Sequence, residues 1–521
     1  MVHSLIQRAL AERRLSQIDC MLAEQIQPQG GLLGVFMAKA FRQGHCAVLF
    51  DEEMIDPFLA SVFIDDQQRC ADLDFLQQMR RSLEREWKAH AFASHQVVSI
   101  DDRYAAFPAV DAMEQRLAEE IVRLARAQPS LSLPPSLHHR LAQLSLSDEQ
   151  YTAVVGMSRA SLSCIAGGPG TGKTYLVGQF LAALCASFDQ PLRIGLFAPT
   201  GRAVQTLVQS LERACFFEQD DIIESQTIHK AVRSSQEWLS YHCMIIDESS
   251  MIDSQLLLQF FQKIPSGTRV IMVGDPDQLP PIDPGKPFCD LLQSSKYLTS
   301  LYTAFLTTCH RTSSQDLQSF ARAVRSRDLA ALSSWTSSEE IRFIPYMPHE
   351  FSTFIREVTS MAVQSCDDLS RQIVLSPIRK GIFGTESLNH LLSEPSTQME
   401  PIVISQNRYD FDVMNGDLGL LDKKGGLLCF QHQSIPSVLC PSFERAYALT
   451  VHKSQGSEFD HVVFVLPHRA IFDFRLLYTA VTRARKRLTI FGNSSGLVQA
   501  VSSREERVTR LVEKIQKLHV L

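Results

Sequence analysis

The chain has 521 residues, a length that suits about three domains of ordinary size. Hydrophobic residues make up 45% and charged residues 21%, as in a globular protein, and no apolar run reaches the about 18–20 residues of a membrane-crossing helix. The net charge of −6 argues against a passive coat on nucleic acid, but not against a motor that grips one strand in a locally basic groove. Because the amphipathic start lacks the apolar core of a secretory signal, we expect a cytoplasmic protein without membrane contact.

Residues 1–110 show mainly helical periodicity and carry no catalytic pattern. We therefore predict a mostly helical N-terminal domain in this region. The stretch 111–140 is interrupted by Pro129 and by the pair Pro134-Pro135, which favours a linker.

Two α/β units are predicted downstream, at 141–344 and 345–521. Short apolar runs alternate there with helical patterns, as is typical of parallel sheets with helical crossovers. Residues from about 400 to 445 contain short strand-like pieces separated by glycine turns, which predicts a small antiparallel insert. The predicted strands are Ser161–Ala166, Leu192–Phe197, Met244–Ile246, Val270–Val273, Ile373–Leu375, His461–Leu466 and Arg487–Phe491, and the predicted helices of the first unit are 173–187, 201–215 and 253–263.

A glycine-rich loop follows the first predicted strand and precedes a helix. Its sequence fits the pattern GxxxxGK[ST], in which backbone N–H groups and a helix N-terminus bind phosphates. The lysine would reach the β- and γ-phosphates of ATP, and the threonine after it would ligate Mg²⁺. We therefore predict a nucleotide site formed by Gly167, Gly168, Pro169, Gly170, Thr171, Gly172, Lys173 and Thr174.

Two carboxylates, Asp247 and Glu248, follow the predicted strand Met244–Ile246. At the end of a buried strand in a P-loop unit, Asp247 would face Mg²⁺ and Glu248 would act as the general base on the attacking water. A pair of surface acids is the alternative, and the apolar strand before the pair favours the hydrolytic role.

Six further segments resemble the motifs of superfamily-1 helicases: 198–203, 227–230, 273–281, 306–311, 449–460 and 478–485. The resemblance implies a γ-phosphate sensor at Gln278 and phosphate-binding arginines at Arg311 and Arg483. It also implies contacts with a DNA strand for Thr200, Arg202, His229, Thr450 and His452.

The resemblance adds nucleotide-binding residues outside the P-loop. Gln455, Gly456 and Glu458 belong to the segment that is similar to motif V. Gln150 resembles the glutamine of the helicase Q motif, whose amide can pair with adenine, although a surface glutamine is the alternative. The segment that is similar to motif IV departs from the usual pattern, because Cys309-His310 stands where an aromatic residue is more usual.

Three segments, 375–389, 414–419 and 44–49, resemble RecD-like proteins, the family that includes the alpha subunit of bacterial exodeoxyribonuclease V. The resemblance implies an α/β fold with two RecA-like P-loop domains, a small antiparallel β insert and a mostly helical N-terminal domain. It further implies movement 5′→3′ on single-stranded DNA or from duplex ends, driven by ATP and Mg²⁺. Double-strand break repair and recombination would be the context, with RecB-like and RecC-like subunits in a heterotrimer. Residues 1–110 would then dock on a partner, and a stand-alone helicase is the alternative.

Three other classes of function are weaker. A nuclease would rest on the lone pattern Glu86-Trp87-Lys88, which lacks the convergent carboxylates of metal-dependent cleavage. A subunit that binds ATP without hydrolysing it is disfavoured by the intact P-loop lysine, acidic pair and Arg483. A helicase directed at RNA is excluded poorly, because motors that grip a backbone read the sugar only through local 2′-OH contacts.

Overall fold

The computed structural model consists mainly of two units, and each unit is a parallel β-sheet between layers of helices. The predicted α/β class is therefore confirmed. The structure describes residues 2–12, 14–16, 18–20, 32–49, 59, 62, 73–90, 98–101, 104–214, 222–234, 241–309, 315–335, 337–345, 351, 355, 366–393, 397–411, 413–431, 433–440, 442–467, 473–492, 494–502 and 506–520.

The helices of the described residues are α1 (Val2–Ala11), α2 (Leu32–Arg42), α3 (Leu73–His90), α4 (Pro108–Arg126), α5 (Pro135–Ala142), α6 (Asp148–Arg159), α7 (Lys173–Cys185), α8 (Gly201–Ala214), α9 (Ile228–Arg233), α10 (Ser254–Phe261), α11 (Pro287–Ser294), α12 (Gln315–Ser326), α13 (Leu329–Ser333), α14 (Thr385–Leu392), α15 (Phe474–Val481), α16 (Ser494–Ser502) and α17 (Leu511–Val520). The strands are β1 (Val48–Leu49), β2 (Val98–Asp101), β3 (Tyr104–Ala106), β4 (Leu162–Gly167), β5 (Arg193–Ala198), β6 (Ile222–Thr227), β7 (Cys243–Ile246), β8 (Arg269–Gly274), β9 (Leu301–Leu306), β10 (Ile341–Ile344), β11 (Gln372–Ser376), β12 (Met399–Ile404), β13 (Leu418–Asp422), β14 (Leu427–Cys429), β15 (Ser434–Pro436), β16 (Phe443–Arg445), β17 (Ala448–Thr450), β18 (Phe459–Val465) and β19 (Ala484–Phe491).

The first unit is a six-stranded parallel sheet with strand order β6-β5-β7-β8-β4-β9. Alternate side chains of β7 are buried on opposite faces of the sheet. Met244 and Ile246 face the layer of α4, α10 and α11. Cys243 and Ile245 face the layer of α5 to α8. Burial on both faces explains why the strands are continuous apolar runs. The four strands predicted in this unit are confirmed as β4, β5, β7 and β8, each displaced by about one residue.

The second unit is a five-stranded parallel sheet with strand order β10-β19-β18-β11-β17. Its core includes Phe320 and Val324 of α12, and Ile341 of β10 lies opposite Leu488 of β19. The second unit therefore begins with α12, ahead of the expected residue 345. The sequence does not reveal this earlier start, because β10 is short and half-exposed and α12 buries only one face.

The predicted antiparallel insert is present as five strands in the order β15-β14-β13-β12-β16. It has a small core of its own, which contains Ile402, Ile404, Leu428 and Ile435.

The region expected to be a linker, 111–140, is largely helical. The buried face of α4, which includes Leu117 and Ile121, packs on α10 in the core of the first unit. Prolines at the starts of α4 and α5 begin these helices, because the first turn of a helix needs no N–H from its first residue.

The N-terminal part contains α1, α2 and α3 around a core with Phe36, Phe75 and Met79. A three-stranded antiparallel sheet, in the order β1-β3-β2, accompanies these helices. The sequence predicted the helices but not this sheet, whose strands are two to four residues long.

The C-terminal residues return to the first unit. Leu511 and Ile515 of α17 are buried against α4 and α11, and Lys514 Nζ donates to the Asp111 carbonyl at 2.7 Å. Just before α17, Cys46 N donates to the Val508 carbonyl at 2.9 Å, which joins this segment to the N-terminal part. The assignment of 345–521 to the second unit is therefore wrong at its end, because residues 506–520 pack on the first unit.

Within the described ranges, no helix combines the length and the apolar character that a membrane crossing requires.

Arg269 caps the C-terminus of α6 from the core of the first unit. It is buried, and its Nη1 donates to the carbonyls of Met157, Ser158 and Ala160 at 2.9, 2.9 and 2.7 Å. Carbonyls in the last turn of a helix lack partners within the helix. Arg269→Met would leave them unpaired in the core, so we expect the free energy of unfolding to fall by about 3 kcal/mol.

Thermal unfolding checks this prediction, and the midpoint of Arg269→Met should fall by several degrees. Arg159→Met is the control, because Arg159 is exposed at the end of the same helix and should shift the midpoint little. An unchanged midpoint for Arg269→Met would show that α6 ends stably without the guanidinium.

Candidate nucleotide and DNA site

The P-loop lies at the carboxyl end of β4 and opens directly into α7. Gly170 and Gly172 have φ angles of 76° and 79°, a left-handed conformation that favours glycine. Lys173 Nζ folds back over the loop and donates to the carbonyls of Gly167 at 2.7 Å and Gly168 at 3.0 Å. Thr171 Oγ1 donates to the Gly168 carbonyl at 2.9 Å, so the loop is closed on itself.

The glycines also admit close neighbours. A Cβ atom on Gly167 would lie 2.6 Å from Thr171 Oγ1, and one on Gly168 would lie 2.9 Å from the Tyr478 hydroxyl. The loop is therefore a backbone cradle at a helix N-terminus, and Thr174 is half-buried in the first turn of that helix. This arrangement fits the phosphates of a nucleotide.

Asp247 and Glu248 follow buried β7, as predicted. Asp247 Oδ1 accepts a hydrogen bond from the Glu248 backbone at 2.8 Å, and Glu248 has a φ of 50°. Burial, together with the Glu248 carboxylate, raises the pKa of Asp247 to about 7, while nearby Lys173 opposes the rise. A divalent cation would favour the ionised carboxylate, so this carboxyl group suits a Mg²⁺ ligand.

The segment after β8, residues 275–279, is here called the sensor loop because it contains Gln278. Gln278 Nε2 donates to Oδ2 of buried Asp275 at 3.2 Å, and the hydroxyl of Tyr478 donates to the same oxygen at 3.2 Å. Burial raises the pKa of Asp275. Two further contacts reach the second unit: Leu279 N donates to Thr479 Oγ1 at 3.0 Å, and Gln455 Nε2 donates to the Leu279 carbonyl at 3.5 Å.

A cleft between the units borders the P-loop. Thr482 and Ala484, on either side of Arg483, line it, but the Arg483 guanidinium is turned into its own unit. Its Nε donates to the Thr479 carbonyl at 3.1 Å and its Nη1 donates to the Ser457 carbonyl at 3.2 Å. The phosphate-binding role of Arg483 stays a prediction, and Arg311 lies outside the described residues.

Two arginines of α12 line this cleft, and sequence reasoning missed both. Arg322 and Arg325 lie in an ordinary amphipathic helix with no motif around them. Arg325 Nε forms an ion pair with Asp277 Oδ2 at 2.5 Å.

Gln150 has a structural role at the start of α6. Its Oε1 accepts a hydrogen bond from Ser147 N at 3.2 Å and its backbone N donates to Ser147 Oγ at 3.3 Å, which is a capping box. Glu149 accepts hydrogen bonds from Thr307 N and Oγ1 beside the cleft. The spacing Ser-x-x-Gln before an apolar run could have revealed the cap, and the adenine contact of Gln150 stays a prediction.

The residues expected to contact DNA cluster at the carboxyl ends of other strands. Thr200 follows β5, His229 lies in α9 after β6, and Thr450 ends β17. Thr200 Oγ1 accepts a hydrogen bond from Ala203 N at 3.2 Å, and a Cβ on Gly456 would lie 3.8 Å from that Oγ1. The loops of the two units therefore meet here.

Two more of these residues have distinct electrostatic settings. Burial lowers the pKa of His452, so its imidazole is neutral near pH 7. Burial lowers the pKa of Arg202, at the start of α8, while the nearby carboxylates of Asp417 and Glu458 oppose this shift. The Arg202 guanidinium of the first unit therefore lies near two carboxylates of the second unit.

Solved structures of Pif1 helicases resemble the chain. The complex described as DNA unwinding at forked duplex DNA by two coordinating Pif1 helicases matches with a TM-score of 0.40 and 19% identity, over 68% of this chain and 94% of that chain. A Bacteroides Pif1 in complex with ADP-AlF3 and single-stranded DNA matches with a TM-score of 0.40 and 16% identity, over 73% of this chain and 98% of that chain.

Family profiles match two regions: the AAA domain at residues 145–345 and the UvrD-like helicase C-terminal domain at residues 445–491. The RecBCD enzyme subunit RecD of Haemophilus influenzae is 26% identical over 71% of this chain and 73% of that protein. The same subunit of Mycolicibacterium smegmatis is 27% identical over 77% and 80%. The ATP-dependent RecD2 DNA helicase of Deinococcus radiodurans is 30% identical over 72% of this chain but about half, 53%, of that protein. The chain is therefore a RecD-like helicase of superfamily 1, an ATP-dependent DNA helicase.

Proposed function

We propose that the chain moves 5′→3′ along single-stranded DNA by hydrolysing ATP in the cleft between its two parallel-sheet units. The observation that carries the proposal is that the sensor loop of the first unit is bonded to three residues of the second, Tyr478, Thr479 and Gln455. A change at the nucleotide is therefore passed to the second unit by direct contacts. Alternate opening and closing of such a cleft can advance a strand held by both units.

Each catalytic group has a place in this proposal. Lys173 and the P-loop N–H groups bind the phosphates, and Gln278 senses the γ-phosphate. Glu248 accepts the proton of the attacking water. Arg483, once released from its carbonyl partners, would stabilise the charge of the transferred phosphoryl group. Thr174 and Asp247 supply hydroxyl and carboxylate oxygens for Mg²⁺, which would neutralise phosphate charge.

The same proposal includes partners. Two of the relatives are RecD subunits of RecBCD enzymes, and their alignments cover 73% and 80% of those proteins, against 53% of the RecD2 helicase. We therefore favour a motor subunit in a complex with RecB-like and RecC-like subunits, acting at duplex ends in the cytoplasm in double-strand break repair and recombination. A stand-alone helicase is the second candidate, and co-purification of such subunits with the tagged protein distinguishes the two.

The first prediction of the proposed function concerns the motor. ATP hydrolysis should rise strongly with single-stranded DNA, and Lys173→Gln should remove more than about 99% of it, because the γ-phosphate loses its ammonium partner. The direction of movement is measured by displacement of streptavidin from biotinylated oligonucleotides. A 5′→3′ motor displaces it faster from the 3′ end, and faster displacement from the 5′ end would contradict the polarity.

The second prediction follows from the pKa of Asp247, which is about 7. Protons compete with Mg²⁺ for this carboxylate below pH 7, so lowering the pH from 8 to 6 should raise the Mg²⁺ concentration for half-maximal binding of a fluorescent ADP analogue by about tenfold. Asp247→Asn cannot titrate and is the control for titration of the nucleotide itself. An equal pH response in both proteins would show that Asp247 is not the ligand.

The third prediction separates the charged from the neutral DNA contact. Arg202→Ala should reduce the slope of log affinity against log salt for single-stranded DNA by about 0.7, because one phosphate contact is lost. His452→Ala should weaken binding with the slope unchanged, since its imidazole is neutral. Arg116→Ala removes an exposed cation from α4 and is the control. Equal slopes for Arg202→Ala and Arg116→Ala would exclude a phosphate contact of Arg202.

A further inference from the structure

Arg325 joins the two units at the nucleotide cleft. It lies in the last turn of α12, and Phe320 and Val324 of the same helix are buried in the core of the second unit. The second unit therefore carries Arg325. Its ion-pair partner, Asp277, belongs to the sensor loop of the first unit, and Nε and Oδ2 are 2.5 Å apart.

The ion pair lies beside the P-loop. A Cβ on Gly168 would be 4.0 Å from Arg325 Nη1, so the guanidinium borders the cradle. Asp277 is also fixed from its other side, because its backbone N donates to Asp275 Oδ1 at 3.1 Å. Gln278 follows Asp277 directly and donates to the second oxygen of Asp275. A displacement of Asp277 would therefore also displace Gln278, the proposed γ-phosphate sensor.

Arg483, which stands between two residues that line this cleft, is held differently. Arg483 donates to carbonyls of its own unit, at Thr479 and Ser457. Those bonds do not depend on where the first unit lies. The bond between Arg325 and Asp277 does depend on it, because the two residues belong to different units. Both side chains are partly exposed, at 37% and 27%, so the pair can separate without stranding a buried charge.

We propose that Arg325 is a positioning residue for ATP hydrolysis. Through Asp277 it ties the orientation of Gln278 to the seating of the second unit, so that hydrolysis is fast only when the units are in contact. This inference rests on the proposed function, since it concerns the rate of the same ATP hydrolysis.

The test uses four variants of the full chain: Arg325→Ala, Asp277→Ala, the double variant, and the reversed pair Asp277→Arg with Arg325→Asp. Each single variant should lower the DNA-stimulated kcat by roughly tenfold, because the sensor is misplaced rather than removed. KM for ATP and the affinity for a fluorescent ADP analogue should change by less than about threefold, because the P-loop is intact. The double variant should be within about twofold of the slower single variant, since both changes break one contact.

The reversed pair decides between positioning and direct contact with phosphate. It restores the bond between the units, so it should regain part of the lost kcat. If it is as slow as Arg325→Ala, and Asp277→Ala is nearly normal, Arg325 acts on the phosphates itself and the positioning role is wrong. The positioning role is also wrong if the losses of kcat multiply in the double variant, or if the single variants lose no kcat.

The controls separate this inference from the proposed function. Arg371→Ala removes the ion pair between the exposed Arg371 and Asp368, 3.1 Å apart and within the second unit, and should keep the unsubstituted kcat. Melting temperatures of all variants establish that they are folded. If DNA does not stimulate hydrolysis by the unsubstituted protein, the proposed function fails and the inference fails with it. If DNA stimulates it and the Arg325 variants behave like Arg371→Ala, the inference alone fails.

Discussion

The hydroxyl group of Tyr478 holds the second unit against two loops of the first, the P-loop and the sensor loop. It donates to Asp275 of the sensor loop, and it lies where a side chain on Gly168 would otherwise be. Burial raises the pKa of Tyr478 well above its usual range, so the group remains a hydrogen-bond donor at any physiological pH. A nucleotide bound at the P-loop would therefore lie next to residues of both units, and the geometry of the cleft depends on their contact.

Strand order explains how one sheet edge can serve two ligands. The P-loop follows β4, the acidic pair follows β7 and the sensor loop follows β8. These three strands are consecutive in the first sheet, in the order β7-β8-β4. The loops after β5 and β6 carry Thr200 and His229 on the other half of the same edge. Parallel strands bring all these loops to one side. In the proposed function, a nucleotide and a DNA strand would then lie side by side along this edge.

Much of this arrangement was predictable, because central strands of a parallel sheet are apolar on both faces and leave a clear pattern. Edge strands do not: β9 and β10 are half-exposed, and neither was predicted. The P-loop and the acidic pair were predictable because their chemistry requires fixed residue types next to a strand. Arg325 was not, since its role depends on which unit carries α12. Gln150 shows that one pattern can have two interpretations, because the segment that suggests a ligand contact also encodes a helix cap.

Among the described elements, the chain passes from the first parallel-sheet unit to the second and later back to the first. It leaves the first unit between β9 and α12 and returns to it between α16 and α17, where Leu511 and Ile515 are buried against α4. A domain joined by one linker can swing and twist, but a domain held by two connections loses most of those freedoms. Rotation about the line through the two crossings would keep both connections in place. A second unit that turned about this line would have a fixed axis, so that each ATP cycle would repeat the same stroke.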